Sequence, residues 1–167
     1  MPHAQHLQAI IDFAKFNASL SHDRPSRVHG IDHWQRVAEN GILLQDEGVN
    51  PKVVELFAYL HDCCREDDGS DPEHGPRAAK LIRTIRHTLL EDLTDEEFDE
   101  LQKACRWHTS HDRTNNPTIN ACFDADRLDL GRVGVIPDPH YMASPKGKEL
   151  AAKIHDEIFQ MFTEQFM

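Results

Sequence analysis

Apolar residues recur along this chain at the i, i+3, i+4, i+7 spacing of helices, and strand-like alternation is scarce. The pattern predicts a first helix from about Ala4 to Ala18, a loop over Ser21–Gly30, and a second helix from about Ile31 to Glu47 that stops at Gly48. Asn50-Pro51 reads as an N-cap followed by proline at the first helical position. It opens a third helix, which carries VVELFAYLHD and ends near Asp62. After the acidic loop Arg65–Pro72, a fourth helix runs from about Glu73 to His87. Thr94 and Glu97 fit a capping box for a fifth, which reaches about His108. A sixth spans about Thr118 to Leu130, a Gly/Pro-rich stretch at Gly131–Pro145 covers one face, and Ser144-Pro145 opens a last helix running nearly to Met167. There is no internal repeat, low-complexity tract or linker. The expectation is one all-α domain over residues 1–167, a bundle of about six to seven helices.

The informative positions are polar residues on the apolar stripes. His33 shares a stripe with Val37 and Leu44, His61 continues that of Val54 and Phe57, and Asp62 follows directly. His74 leads Ala78, Leu81 and Ile85, His108 ends the stripe of Phe98, Leu101 and Cys105, and Asp126 continues Ile119 and Cys122. A buried carboxylate needs a cation, an arginine or several donors. A lone inward histidine is weak evidence, because core histidines usually find protein partners. His155, on the stripe of Ala151, Ile158 and Phe162, reads as equally inward, and His6 is similar. His87 reads as exposed, and His29 and His111 as solvated loop residues beside candidate ligands. Geometry alone leaves ligands and core histidines unseparated.

The order of the motifs narrows the choice. A histidine before Arg-Val (His33-Trp34-Gln35-Arg36-Val37) precedes Leu60-His61-Asp62, and an isolated aspartate, Asp126, follows in DADRLD. This order resembles the HD superfamily of metal-dependent phosphohydrolases, and the resemblance spans about Val28 to Arg132. It implies an HD-type helical bundle in which His33, His61, Asp62 and Asp126 hold a metal, with Asp62 and His61 at the catalytic centre. Asp124 and Asp129 are the neighbouring alternatives to Asp126. His74 in EHGPRAA and His108 in WHTS resemble the further histidines of relatives with two metals, which implies a dinuclear site bridged by Asp62. DADRLDLGR is similar to a segment of bacterial HD enzymes that hydrolyse dinucleoside tetraphosphates, whereas RLDLGRVGVIPDP is similar to an uncharacterised HD subgroup.

Composition adds limits. The twelve histidines are many for 167 residues, and the net charge of −11 disfavours a nucleic-acid polymer or an anionic membrane as partner. The N-terminus lacks the pattern of a signal peptide, no apolar run approaches a membrane span, and the cytoplasm is the expected location. The four cysteines form no C-x-x-C pair and read as reduced thiols in or near the core. Imidazole and carboxylate ligands favour Mn, Fe, Ni, Co or Zn over Ca. The implied substrate is a small phosphorylated molecule of the nucleotide kind. Arg65 and Arg127, then Arg77, Arg132 and Lys146, are the candidate phosphate-binding groups. Two rival functions are a di-iron oxygenase on the same ligands and a non-catalytic, metal-stabilised nucleotide-binding module.

Overall fold

Helix α3 (Pro51–Leu60) is apolar almost all round and buries Val53, Val54, Leu56, Phe57, Ala58, Tyr59 and Leu60. A helix of that kind belongs in the middle of a bundle. Around it pack α1 (His3–Ser21), α2 (Ile31–Leu43), α5 (Asp95–Trp107) and α6 (Pro117–Arg127), while α4 (His74–Arg83) lies on α5 and α7 (Pro145–Phe166) touches α6. The computed structural model describes residues 3–21 and 26–167. Among them the chain forms these seven α-helices, two short 3-10 turns at Leu130–Val133 and Pro139–Tyr141, and no strand. No helix among the described residues is long and apolar enough to cross a membrane. The loop expected at Ser21–Gly30 falls partly on residues 22–25, outside the described residues.

The helix starts follow from local side-chain chemistry. Asn50 accepts from the Lys52 amide and Thr94 and Glu97 form the full capping box. Asn116 accepts from Ile119, with Pro117 first in the helix, so α6 begins one residue before the expected Thr118 by the logic already applied at Asn50-Pro51. Two ends differ from expectation. Helix α2 stops at Leu43 rather than Glu47, because Asp46 and Glu47 would place anions at the negative end of the helix, and Gly48 turns the chain at φ 78°. Helix α4 stops at Arg83 rather than His87. The chain continues as turns in which the Arg86 guanidinium donates to the carbonyls of Leu90 and Leu93 and to Asp95.

The Gly131–Pro145 stretch is tied down at its far end by Asp124. That buried carboxylate accepts from the amides of Ala143 and Ser144 and from the Ser144 hydroxyl. Ser144 in turn caps α7 through the Gly147 amide. Gly147 has to lack a side chain, since a Cβ there would overlap the Asp124 carboxylate. Burial raises the Asp124 pKa, and its donors pull it back only in part. All four cysteines are free thiols, with Cys63, Cys105 and Cys122 buried and Cys64 half-buried. Asp124→Ala leaves three half-buried donors without their acceptor, and we expect it to lower unfolding free energy by about 1–3 kcal/mol, read as an earlier midpoint in urea unfolding.

Candidate metal centre

Six side chains meet at one end of the bundle because each stands at a helix end. His33 is in the first turn of α2, and His74 is the first residue of α4. His61 caps the C-terminus of α3 with Asp62 next, His108 caps α5, and Asp126 is the penultimate residue of α6. Three helices thus present their carbonyl ends to the cluster, and two, α2 and α4, their amide ends.

The cluster has two halves joined by Asp62. On one side, His33 Nε2 lies 3.2 Å from His61 Nε2 and 3.1 Å from Asp126 Oδ1, and Asp62 Oδ2 stands 3.5 and 3.4 Å from the two ring nitrogens. On the other, His74 Nε2 lies 2.8 Å from His108 Nε2, and Asp62 Oδ1 stands 3.1 and 3.7 Å from them. The donor atoms of His33, His61 and Asp126 all lie within 4.8 Å of one another, as do those of His61, Asp62 and His108. Gly75 allows the second half to close. A Cβ there would sit 2.6 Å from the Cys105 carbonyl oxygen, so α4 and α5 approach closely enough to bring His74 and His108 together.

The hydrogen bonds on the far edges of the rings show what the near edges are for. His33 Nδ1 faces Asp129 Oδ2 at 2.7 Å, His61 Nδ1 faces the carbonyls of Phe57 and Ala58 at 3.1 Å, and His108 Nδ1 faces that of Cys105 at 2.7 Å. His74 Nδ1 bonds the Asp71 carbonyl. All of these partners only accept, so each Nδ1 carries the proton and each neutral ring presents its Nε2 lone pair inward. Lone pairs facing each other at 3.2 and 2.8 Å repel unless a positive charge lies between or beside them. In addition, Asp126 Oδ1 is buried without a hydrogen bond. Nitrogen donors with anchored far edges and an orphaned carboxylate oxygen together fit a divalent metal.

Without a metal, protons must supply that charge. Burial opposes a charge on His61, but Asp62 and Asp126 overcome it and raise its pKa to about 10. Burial likewise opposes the Asp62 and Asp126 anions, and the facing histidines outweigh it, holding both well below the usual range. His108 shifts down, through burial first and also through the charge on His61.

His29 was expected in a solvated loop, but it is buried. Its Nδ1 lies 3.0 Å from Asp62 Oδ2, and Nε2 lies 3.2 Å from the Asp68 carbonyl. Asp129, weighed only as a neighbour of Asp126, is the anchor of His33 and is itself held by Arg36 Nε at 2.7 Å. Asp124 faces away, toward the start of α7. Of the candidate phosphate ligands, two stand at the cluster. Arg65 Nε lies 3.5 Å from Asp62 Oδ1, and Arg132 Nη2 lies 3.5 Å from Asp126 Oδ1. The other three are engaged elsewhere. Arg127 donates to the carbonyls of His111, Asp112 and Tyr141. Arg77 is bound to Asp71 and the Cys64 carbonyl, bracing the loop that anchors His74. Lys146 pairs loosely with Glu149 at 3.7 Å. His155 is exposed rather than inward, His6 is half-buried, and His87 and His111 are exposed as expected.

No family model matches the chain, and no curated protein does. A solved structure does match. It is a protein described as a predicted HD superfamily hydrolase from an uncultured Thermotogales bacterium, 23% identical, with a TM-score of 0.72 over 99% of this chain and 94% of that one. The chain has the HD fold. In that fold the cluster lies where the motif order of the sequence leads, at the helix ends that carry His33, His61-Asp62 and Asp126.

Two outcomes follow from the anchored rings and the trapped charge. Asp129→Asn replaces the acceptor of His33 Nδ1 and is expected to weaken divalent-metal binding ~10–100-fold, measured by titration with a metal indicator. For metal-stripped protein, the sign at His61 is that of a group whose pKa rises on folding, from 6.5 to about 10. Its stabilisation is complete below 6.5 and disappears as pH climbs through 10. Asp62 and Asp126, depressed from 3.8, act in the opposite sense and lose theirs as pH falls below that value. Thermal midpoints should therefore decline above pH 6.5 and again below 3.8, and added metal should restore them most on the alkaline side.

Proposed function

We propose that this protein is a metal-dependent phosphohydrolase acting on a small phosphate ester of the nucleotide class. The observation that carries the reading is the split of Asp62, one oxygen toward His33 and His61 and the other toward His74 and His108. In this reading His33, His61, Asp62 and Asp126 hold one ion, and His74 and His108 hold a second with Asp62 between. Ions bound there, of the Mn, Fe, Ni, Co or Zn kind, would bring water toward ionisation near neutral pH and draw charge from a phosphoryl oxygen.

The protein's own groups supply the rest. Asp62 has lone pairs left to orient the attacking water. His29 holds the same carboxylate from the outer side. Arg65 and Arg132 flank the two carboxylates, and Arg65 Nε is buried with no hydrogen-bond partner. An anionic oxygen reaching the cluster would satisfy that donor. Arg132 is fixed by bonds to the carbonyls of Val28 and Asp129, so it meets a substrate already positioned. The acidic surface, with Glu66, Asp67, Asp68 and Glu73 exposed on the neighbouring loop, speaks against a polymeric nucleic acid and for a small substrate.

Purified protein should contain transition metal and release phosphate from at least one member of a panel of nucleotides and simple phosphoesters. Chelator, His61→Ala and Asp62→Asn should each reduce turnover at least ~100-fold. Arg132→Ala should raise KM more than it lowers kcat. Hydrolysis indifferent to chelator and to His61→Ala would reject the reading, and oxygen uptake with iron but no phosphate release would replace it with an oxygenase.

A further inference from the structure

The four rings of the cluster are not anchored alike. His61 and His108 rest their Nδ1 edges on carbonyls of their own helices, those of Phe57, Ala58 and Cys105, and helix geometry fixes these acceptors. His33 is held by Asp129, which Arg36 fixes in turn. His74 stands first in α4 and has no earlier turn of its own helix to lean on, so its Nδ1 bonds the Asp71 carbonyl in the loop before it.

That loop has little packing to hold it. Residues 66–70 are exposed and carry no apolar side chain to bury against the core, so polar ties set its path. Ser26 and His29 tie it at Asp68, and Arg65 donates to the carbonyls of Asp67 and Gly69, but all of these ties end before Asp71. Asp71 itself is held by Arg77, three residues beyond His74 in α4. Arg77 Nη2 lies 2.8 and 2.6 Å from the two Asp71 oxygens. Its Nε and Nη2 also donate to the Cys64 carbonyl at 3.1 and 3.0 Å. The Glu66 amide completes the set by donating to Asp71 Oδ2 at 2.8 Å. One guanidinium therefore joins the stretch just after His61-Asp62 to the residue whose carbonyl orients His74. The planar fork of arginine can grip a carboxylate and a carbonyl at once, and an ammonium cannot.

We infer that Arg77 is a positioning residue for one metal ion only: acting through Asp71, it sets how tightly the His74–His108 half of the centre holds its ion, and leaves the His33–His61–Asp126 half alone. The inference rests on the reading that two ions bind. Arg77 bonds none of the six metal-binding side chains, so its influence passes through the loop. Without it the Asp71 carbonyl can drift, and the His74 ring can turn its Nε2 away from Asp62 and His108. The acceptors of His33 and His61 stay where they are. Outer partners of this kind change metal affinity ~10–100-fold.

Metal-stripped protein titrated with Mn²⁺ under equilibrium dialysis should take up two ions per chain and develop the exchange-coupled electron paramagnetic resonance signal of a paired site. His74→Ala identifies which of the two affinities belongs to its half. Arg77→Ala should weaken that ion ~10–100-fold, leave the other unchanged, and remove the coupled signal when metal is limiting. Arg77→Lys keeps a charge for Asp71 but not the fork to Cys64, and should fall between. Asp71→Asn keeps the backbone carbonyl and disturbs only the pair with Arg77. It should reproduce the loss, and the double variant should be no worse than either single one. Two ions in the unmodified protein with both affinities unchanged in Arg77→Ala overturn the inference alone. An equal fall in both affinities makes Arg77 a general brace and overturns it as well. A single ion in the unmodified protein overturns the two-ion reading, and this assignment with it.

Discussion

Four imidazole rings held by one edge and pressed together by the other are the constraint around which this protein is arranged. Each Nδ1 has an acceptor on the protein, so none of the rings can turn its lone pair away from the centre. The repulsion this creates is tolerable only beside a cation, and two carboxylates add to the demand. The bundle brings these groups together although they cannot be stable together on their own. Core packing of α3 against its neighbours supplies the opposing free energy, which is why the cluster sits at the end of the most buried helix.

Much of this was legible in the sequence. The helix starts were readable because capping is local: Asn50, Thr94 with Glu97, and Ser144 act within a few residues of themselves. Burial of His33, His61, His74 and His108 was readable from their place on apolar stripes, since a stripe of 3.6 periodicity has one inward direction. The convergence of those residues on one point was not. It depends on interhelical spacing, and the motif resemblance, not periodicity, carried that step.

What sequence reasoning missed has a common cause. His29 lies on no stripe and is buried by the acidic loop folding over it, a contact between segments 39 residues apart. Asp129, three positions after Asp126, reads only as its neighbour on one helix face, yet α6 has ended by Arg127 and the turn beyond brings Asp129 to the far edge of His33. Arg127 adjoins Asp126 in sequence but points about 100° away around the helix, while Arg132, in the cover segment, reaches Asp126. His155 reads as inward because its stripe is apolar, yet α7 buries only Gly147 and Ala151 and His155, further along, is exposed.

Helix α6 carries Asp124 and Asp126 two positions apart, one closing the cover and the other facing the histidines. Each residue of a helix advances by ~100°, so the two roles are locked into one register. An inserted or deleted residue within α6 would swing both carboxylates off their targets together. The exposed run from Thr109 to Arg113, by contrast, lies in a loop that Arg127 holds through the backbone carbonyls of His111 and Asp112, acceptors that any residue supplies, so its length is less constrained. Drift in chain length across descendants of this sequence should therefore accumulate before Asn116 and be absent from the eleven residues after it.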